Sequence, residues 1–156
     1  MIDRIVSGGQ TGVDRAGLDT ALALGIACGG WCPAGRRAED GPIPERYPLQ
    51  ETSERAFAVR TRLNVRDSDA TLILAVGSLT GGSALTQELA RSLGRPYRVV
   101  DLDHAPDPEE IHGWLEAQGV RCLNIAGPRE SGQPGIGTRA RQYLEKLLAV
   151  ATQEGH

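Results

Sequence analysis

Short apolar segments alternate with helix-period stretches along nearly the whole chain, and glycine-rich breaks separate them. That alternation restricts the fold more than any other feature. Arg4–Ser7 reads as a first strand, ended by Gly8-Gly9-Gln10-Thr11-Gly12, with a helix from Val13 to Leu24 stopped by Gly25. Ile26–Gly30 is a second strand. The continuous apolar run Ala70–Val76 is a third, typical of a strand covered on both faces, and Gly77-Ser78-Leu79-Thr80-Gly81-Gly82 breaks it. A helix carrying Leu85, Leu89 and Leu93 ends at Gly94. Tyr97–Leu102 and Val120–Ala126 complete the strands, separated by a helix that Asp107 caps and Pro108 opens. After Gly127–Gly135 a last helix aligns Ile136, Ala140, Tyr143, Leu144 and Leu147.

Strands alternating with helices imply right-handed crossovers, a mainly parallel sheet and helices on both faces. The expected class is a Rossmann-like three-layer α/β/α fold with five strands in the order 2-1-3-4-5, one domain over residues 1–156. In such sheets a ligand binds beyond the carboxyl ends of the strands, at the switch point of the strand order. That order puts the switch between the first and third strands, flanked by the Gly8–Gly12 and Gly77–Gly82 loops. Both loops run into a helix N-terminus, where free N–H groups and the helix dipole favour an anion. Neither has the spacing of a dinucleotide fingerprint or a Walker motif. The expected ligand is a small phosphate-bearing molecule.

Between the second strand and the second helix, Trp31–Leu49 is too long for a simple turn and leaves a strand's carboxyl end. It should overhang the same pocket, with Trp31, Arg36, Arg37, Glu39 and Asp40 available to stack or grip an oxyanion, or else form a solvated surface loop. Thr52 or Ser53 suits the cap of the next helix, on which Arg60 and Asn64 share a face. Glu88, in the helix after Gly81-Gly82, can point back towards the pocket as a general base, or complement the helix dipole from the surface.

A net charge of −3 gives no bulk attraction to nucleic acid or to an anionic membrane. The three cysteines have neither zinc spacing nor a disulfide framework, and no metal ligands are expected. No signal-peptide pattern opens the chain and no apolar run reaches spanning length, so a cytoplasmic protein is expected.

Five segments resemble the molybdenum carrier family. They are Ser7–Ala16, Gly29–Pro33 with Gly35–Gly41, Asn64–Thr71, Leu79–Ser83 and Leu123–Ser131. The resemblance implies a Rossmann-like fold akin to molybdenum-cofactor carrier proteins and, more distantly, to the lonely-guy phosphoribohydrolases. It implies molybdenum cofactor as a carried ligand and a homo-oligomer, dimer or tetramer. Set against the phosphoribohydrolase motif Pro-Gly-Gly-x-Gly-Thr-x-x-Glu, Thr80–Glu88 occupies the frame, with Thr80 for Pro and Ala84-Leu85 for Gly-Thr. Arg60 and Glu88 then fall on the catalytic arginine and glutamate. Three functions follow: a carrier of a phosphorylated pterin or nucleotide, a nucleoside monophosphate phosphoribohydrolase using Arg60 and Glu88, or a nucleotide-sensing module. The expected ligand-binding set is Gly8, Gly9, Gln10, Thr11, Gly12, Asp14, Arg36, Arg37 and Asn64, then Gly77, Ser78, Thr80, Gly81, Gly82, Ser83, Thr86 and Arg129.

Overall fold

In the computed structural model, which describes residues 1–153, five strands form one parallel sheet. They are β1 (Arg4–Val6), β2 (Ala27–Gly29), β7 (Ala70–Ala75), β8 (Tyr97–Asp101) and β9 (Cys122–Ala126). Helices α1 (Val13–Leu24), α2 (Phe57–Arg66), α3 (Gly81–Ser92), α4 (Pro108–Ala117) and α5 (Ile136–Gln153) connect or follow them. Gly25 ends α1 in the left-handed conformation, and the Asp107 carboxylate caps α4 by accepting from Glu109 N at 2.9 Å.

The sheet order is β2-β1-β9-β7-β8, and every pair is parallel. The α/β class is the expected one. Numbered from β7, with β8, β9, β1 and β2 following, the sheet reads 2-1-3-4-5; it differs from the expected order only in where the count begins. The difference still has a consequence. The last strand, β9, stands between β1 and β7, so the switch point lies between β7 and β9. Their loops diverge to opposite faces, α3 packing beside α2 on one and α5 beside α1 and α4 on the other. β9 suits a central place because four of its five residues are buried.

The main core gathers Ile5, Leu72, Leu74, Leu123 and Ile125 from the sheet with Val13, Ile111, Leu115, Leu144 and Leu147 from the helices above it. On the other face α3 presents Ser83, Thr86 and Ala90 inward, and Leu85 is 37% exposed. This small-residue face lets the start of α3 lie close over β7.

The long excursion is ordered. Short strands β3 (Trp31–Cys32) and β6 (Gln50–Glu51) pair in parallel, and β4 (Arg37–Ala38) and β5 (Gly41–Pro42) form a tight antiparallel pair. Cys32, Ile43 and Tyr47 make a second small core against Leu18 of α1. Arg36, a non-glycine residue at φ 52°, sends its guanidinium inward to the carbonyls of Ile43 (3.1 Å), Pro44 (2.8 Å), Tyr47 (3.0 Å) and Leu49 (3.3 Å). Asn64 pins the start of the excursion, its amide accepting from Trp31 N at 2.8 Å and donating to Trp31 O at 3.0 Å. α2 begins at Phe57 rather than at Thr52 or Ser53. Thr52 instead bonds to Cys32 O through its N–H and to Glu54 O through its hydroxyl, which keeps that segment beside β3.

Candidate functional site

Between the diverging loops after β7 and β9 lies a cavity of about 430 Å³. Ser78–Thr80, Gly82, Ser83, Leu85 and Thr86 form one wall, and Gly127–Arg129 with Ser131–Gln133 form the opposite one. Phe57, Arg60 and Thr61 of α2 and Gln10 and Asp14 at the head of α1 close it.

Three helix N-termini meet at this edge of the sheet, and their amides are committed differently. At α1, Val13 N donates to Pro128 O at 3.2 Å and Gln10 N to the Asp14 carboxylate at 3.2 Å. At α5, the Glu130 carboxylate already supplies the anion, accepting from Gly135 N (2.7 Å) and Gly137 N (2.9 Å). Thr80 precedes α3 but makes no capping bond, and the N–H groups of Gly81 and Gly82 find no acceptor among the described residues. The start of α3 is therefore a helix end on this edge whose opening amides are uncommitted among the described residues, the arrangement that favours an anion.

The electrostatics across from it are cationic. Arg60 Nη1 lies 3.2 Å from Asp14 Oδ2, with Asp14 buried and Arg60 partly buried. Burial pushes the Asp14 carboxyl above its ordinary range; the Arg60 charge and the Gln10 amide pull it back in part. Phe57, the chain's only phenylalanine, has three guanidinium groups around it. Arg129 Cζ is 4.6 Å from the ring centroid, Arg37 Cζ 4.8 Å and Arg60 Cζ 5.9 Å. Among the described residues, neither Arg37 nor Arg129 has a carboxylate within ion-pair distance, and Arg37 Nε and Arg60 Nε are buried without a partner.

Glu39 ties the excursion to this wall, accepting from the hydroxyls of Thr11 and Ser131 and from Ser131 N. Those hydroxyl bonds, Ser131's first, hold its carboxyl below the usual range. Gln10 Nε2 donates to Arg37 O at 2.8 Å, and Arg15 grips Asp40 through two bonds of 2.6 and 2.8 Å. The excursion is thus fastened over the cavity's rim at three points.

Of the residues singled out in the sequence, Gln10, Asp14, Arg60, Ser78, Thr80, Gly82, Ser83, Thr86 and Arg129 line the cavity; Gly81, between the lining residues Thr80 and Gly82, does not line it. The others lie elsewhere. Gly8, Gly9 and Gly12 are buried as packing points: a Cβ on Gly12 would stand 2.3 Å from Pro128 O, and one on Gly9 2.4 Å from Leu49. Thr11 is spent on Glu39 and on Glu130 N, Arg36 on carbonyls, and Asn64 on Trp31. Gly77 is exposed beyond the β7 end. Arg37 faces a neighbouring cavity. Glu88 is exposed, its carboxylate 3.2 Å from Arg91 Nη1, and it does not line the cavity. Phe57, Leu79, Ser131 and Gln133 are lining residues that the sequence reading passed over. The signal for the last two was the Gly127–Gly135 loop, which only the position of β9 turns into a cavity wall.

A model of the family described as the circularly permutated YpsA SLOG family matches residues 5–148. The description agrees with a sheet that regains the order 2-1-3-4-5 when its count starts at β7. Among solved structures, a protein from Syntrophus aciditrophicus SB named Putative molybdenum carrier protein is 44% identical. The match covers 94% of this chain and 95% of that one, with a TM-score of 0.90. No curated protein matches. No helix among the described residues is long and apolar enough to cross a membrane. The chain belongs to the circularly permutated YpsA SLOG family.

Proposed function

We propose that this protein binds a small phosphate-bearing ligand, a pterin or nucleotide, in the β7–β9 cavity and holds it without turnover, as a carrier of molybdenum cofactor would. The reading rests above all on the two unengaged amides that open α3 into a cavity whose far side carries Arg60 and Arg129. A phosphate there accepts from Gly81 N and Gly82 N, completes the helix end and meets the Arg60 charge. The apolar surfaces of Leu79, Leu85 and Pro128 suit a flat ring system. Molybdenum enters the reading through the name of the 44% identical relative. The residues present fit such a cargo at its anionic end, since Arg129 on the cavity wall has no carboxylate within ion-pair distance among the described residues. Among the described residues no group of three or more His, Cys, Asp or Glu side chains is placed to hold a metal, so the metal would ride on the ligand's own donors.

The test is calorimetric titration with AMP, GMP and inorganic phosphate, on wild type and on Gly82→Asp and Gly82→Asn. A Cβ on Gly82 meets nothing within 4 Å, so both side chains have room. The carboxylate should weaken nucleotide binding at least about tenfold relative to the neutral isostere, because it puts like charge beside the phosphate. The same mixtures, assayed for free base, should show none. Equal binding by the two variants, or no binding by wild type, would remove the phosphate site. Base release would replace the carrier reading with a hydrolytic one.

A further inference from the structure

Phe57 and Arg129 line not one cavity but two. On their far side, under the β4–β5 pair, lies an annex of about 380 Å³ bounded by Arg37, Ala38, Glu39 and Pro42. Nothing in the phosphate site just described uses it. Its charges are out of balance. Arg37 and Arg129 both stack on Phe57, 4.8 and 4.6 Å from its centroid, although like charges brought to one ring repel. Neither has a carboxylate partner among the described residues, and Arg37 Nε is buried without an acceptor. Glu39 is the acid at hand and its charge is felt at Arg129, but both its oxygens are taken by hydrogen bonds from Thr11 and Ser131, so one carboxylate faces two guanidinium groups. Arg129 is held on the ring by stacking, and Arg37 by stacking and one bond from Nη2 to Arg55 O, so each keeps donors of its planar fork for an oxyanion.

We propose that the annex is a second anion subsite, and that the ligand carries two separated anionic groups. One rests on the opening amides of α3, and the other lies between Arg37 and Arg129 beyond Phe57. This rests on the phosphate reading of the main cavity and adds to it: a monoanionic head satisfies only half of the site. Arg129, in the shared wall, serves both groups. Arg37 lines only the annex and decides between ligands with one anionic group and ligands with two.

The experiment titrates wild type and variants with AMP, ATP and adenosine 3′,5′-bisphosphate at one fixed ionic strength. At least one of the two-anion compounds should bind about tenfold or more tighter than AMP, as a charge-assisted pair with Arg37 would give. Arg37→Gln should erase that advantage and leave AMP binding within about twofold. Arg37 Nη2 also donates to Arg55 O, so a second pair of variants keeps the fold out of the answer. Pro42 is exposed on the annex rim, where Pro42→Glu should weaken the two-anion compounds selectively and Pro42→Gln should not. Equal affinities for all three compounds, or Arg37→Gln weakening AMP as much as the others, overturns the annex while the main site stands. If none of the three binds, the phosphate reading itself falls and takes the annex with it.

Discussion

Arg60 lies where a side chain on Gly8 would have to be: a Cβ on Gly8 would stand 1.9 Å from Arg60 Nη1 and 2.7 Å from its Cζ. The first glycine of the first loop therefore serves an arginine on α2, giving its guanidinium a backbone surface to lie on while it reaches Asp14. Gly8→Ala should push Arg60 off Asp14 and cost about 1–3 kcal/mol, the range for a buried polar group left without its partner. Nucleotide affinity should fall with it. In an Arg60→Ala background the same substitution should cost less than about 0.5 kcal/mol, because the obstruction is gone. Urea denaturation of the four proteins checks this, and additive losses would show that Gly8 acts through something other than Arg60.

Asp14 gives this pair an unusual pH dependence. Burial raises its carboxyl above the ordinary 3.8, so the folded protein keeps a proton that the unfolded chain has released. Its contribution is full below pH 3.8 and declines as pH rises through the folded value. Asp40, Asp67 and Asp69 act oppositely. Arg15, Arg66 and the Cys122 amide respectively hold them low, so their stabilisation is present above 3.8 and lost as pH falls. The difference in unfolding free energy between wild type and Asp14→Asn isolates the first effect. It should decrease from about pH 4 to pH 7. A flat difference would mean that Arg60 fully compensates the burial.

Asn64 looks like a ligand-binding residue from its place on the face of Arg60, yet its amide is committed at both ends to Trp31. Asn64→Ala should cost about 1–3 kcal/mol by leaving the Trp31 backbone groups without partners. Nucleotide affinity measured well below the melting temperature should stay unchanged. A loss of affinity with stability intact would return Asn64 to the binding site.

Glu88 makes the reverse case. Its side chain is 64% exposed, and Arg91 is its close partner. Glu88→Gln should change stability by less than about 0.5 kcal/mol, as surface ion pairs do, and leave nucleotide binding as it was. An effect on binding of tenfold or more would require the helix to turn this residue inward when ligand arrives.

These residues show what was legible in the chain and what was not. The strands, the helix stops at Gly25 and the cap at Asp107 are local chemistry, and local chemistry is written in short stretches of sequence. The open helix start at Gly81-Gly82, where the phosphate is proposed to bind, was legible for the same reason. The partner of that site was not. β1 and β9 are both short apolar strands leading into glycine-containing loops, and nothing in their pattern says which lies beside β7. That choice turns the Gly8–Gly12 loop from an open cradle into a packed seam, and makes the Gly127–Gly135 loop the cavity wall. Arg36 was hidden for another reason. A guanidinium that binds four carbonyls leaves the same trace in sequence as one that awaits an anion.

Arg36 also yields the sharpest test of the excursion. Its guanidinium is the one group that reaches the carbonyls of Ile43, Pro44, Tyr47 and Leu49 together, and it closes residues 36–49 upon themselves. Arg36→Ala leaves those carbonyls facing a hole, and Arg36→Lys supplies a single ammonium that cannot span them. Both variants should therefore loosen the segment while the sheet holds. Limited proteolysis should cut within residues 36–49 at least about tenfold faster than in wild type, with far-ultraviolet circular dichroism nearly unchanged. The main cavity should still bind AMP, because Arg36 does not line it. Rescue by Arg36→Lys would show that charge alone suffices. Equal cleavage of variant and wild type would show that the small core of Leu18, Cys32, Ile43 and Tyr47 holds the segment without the clamp.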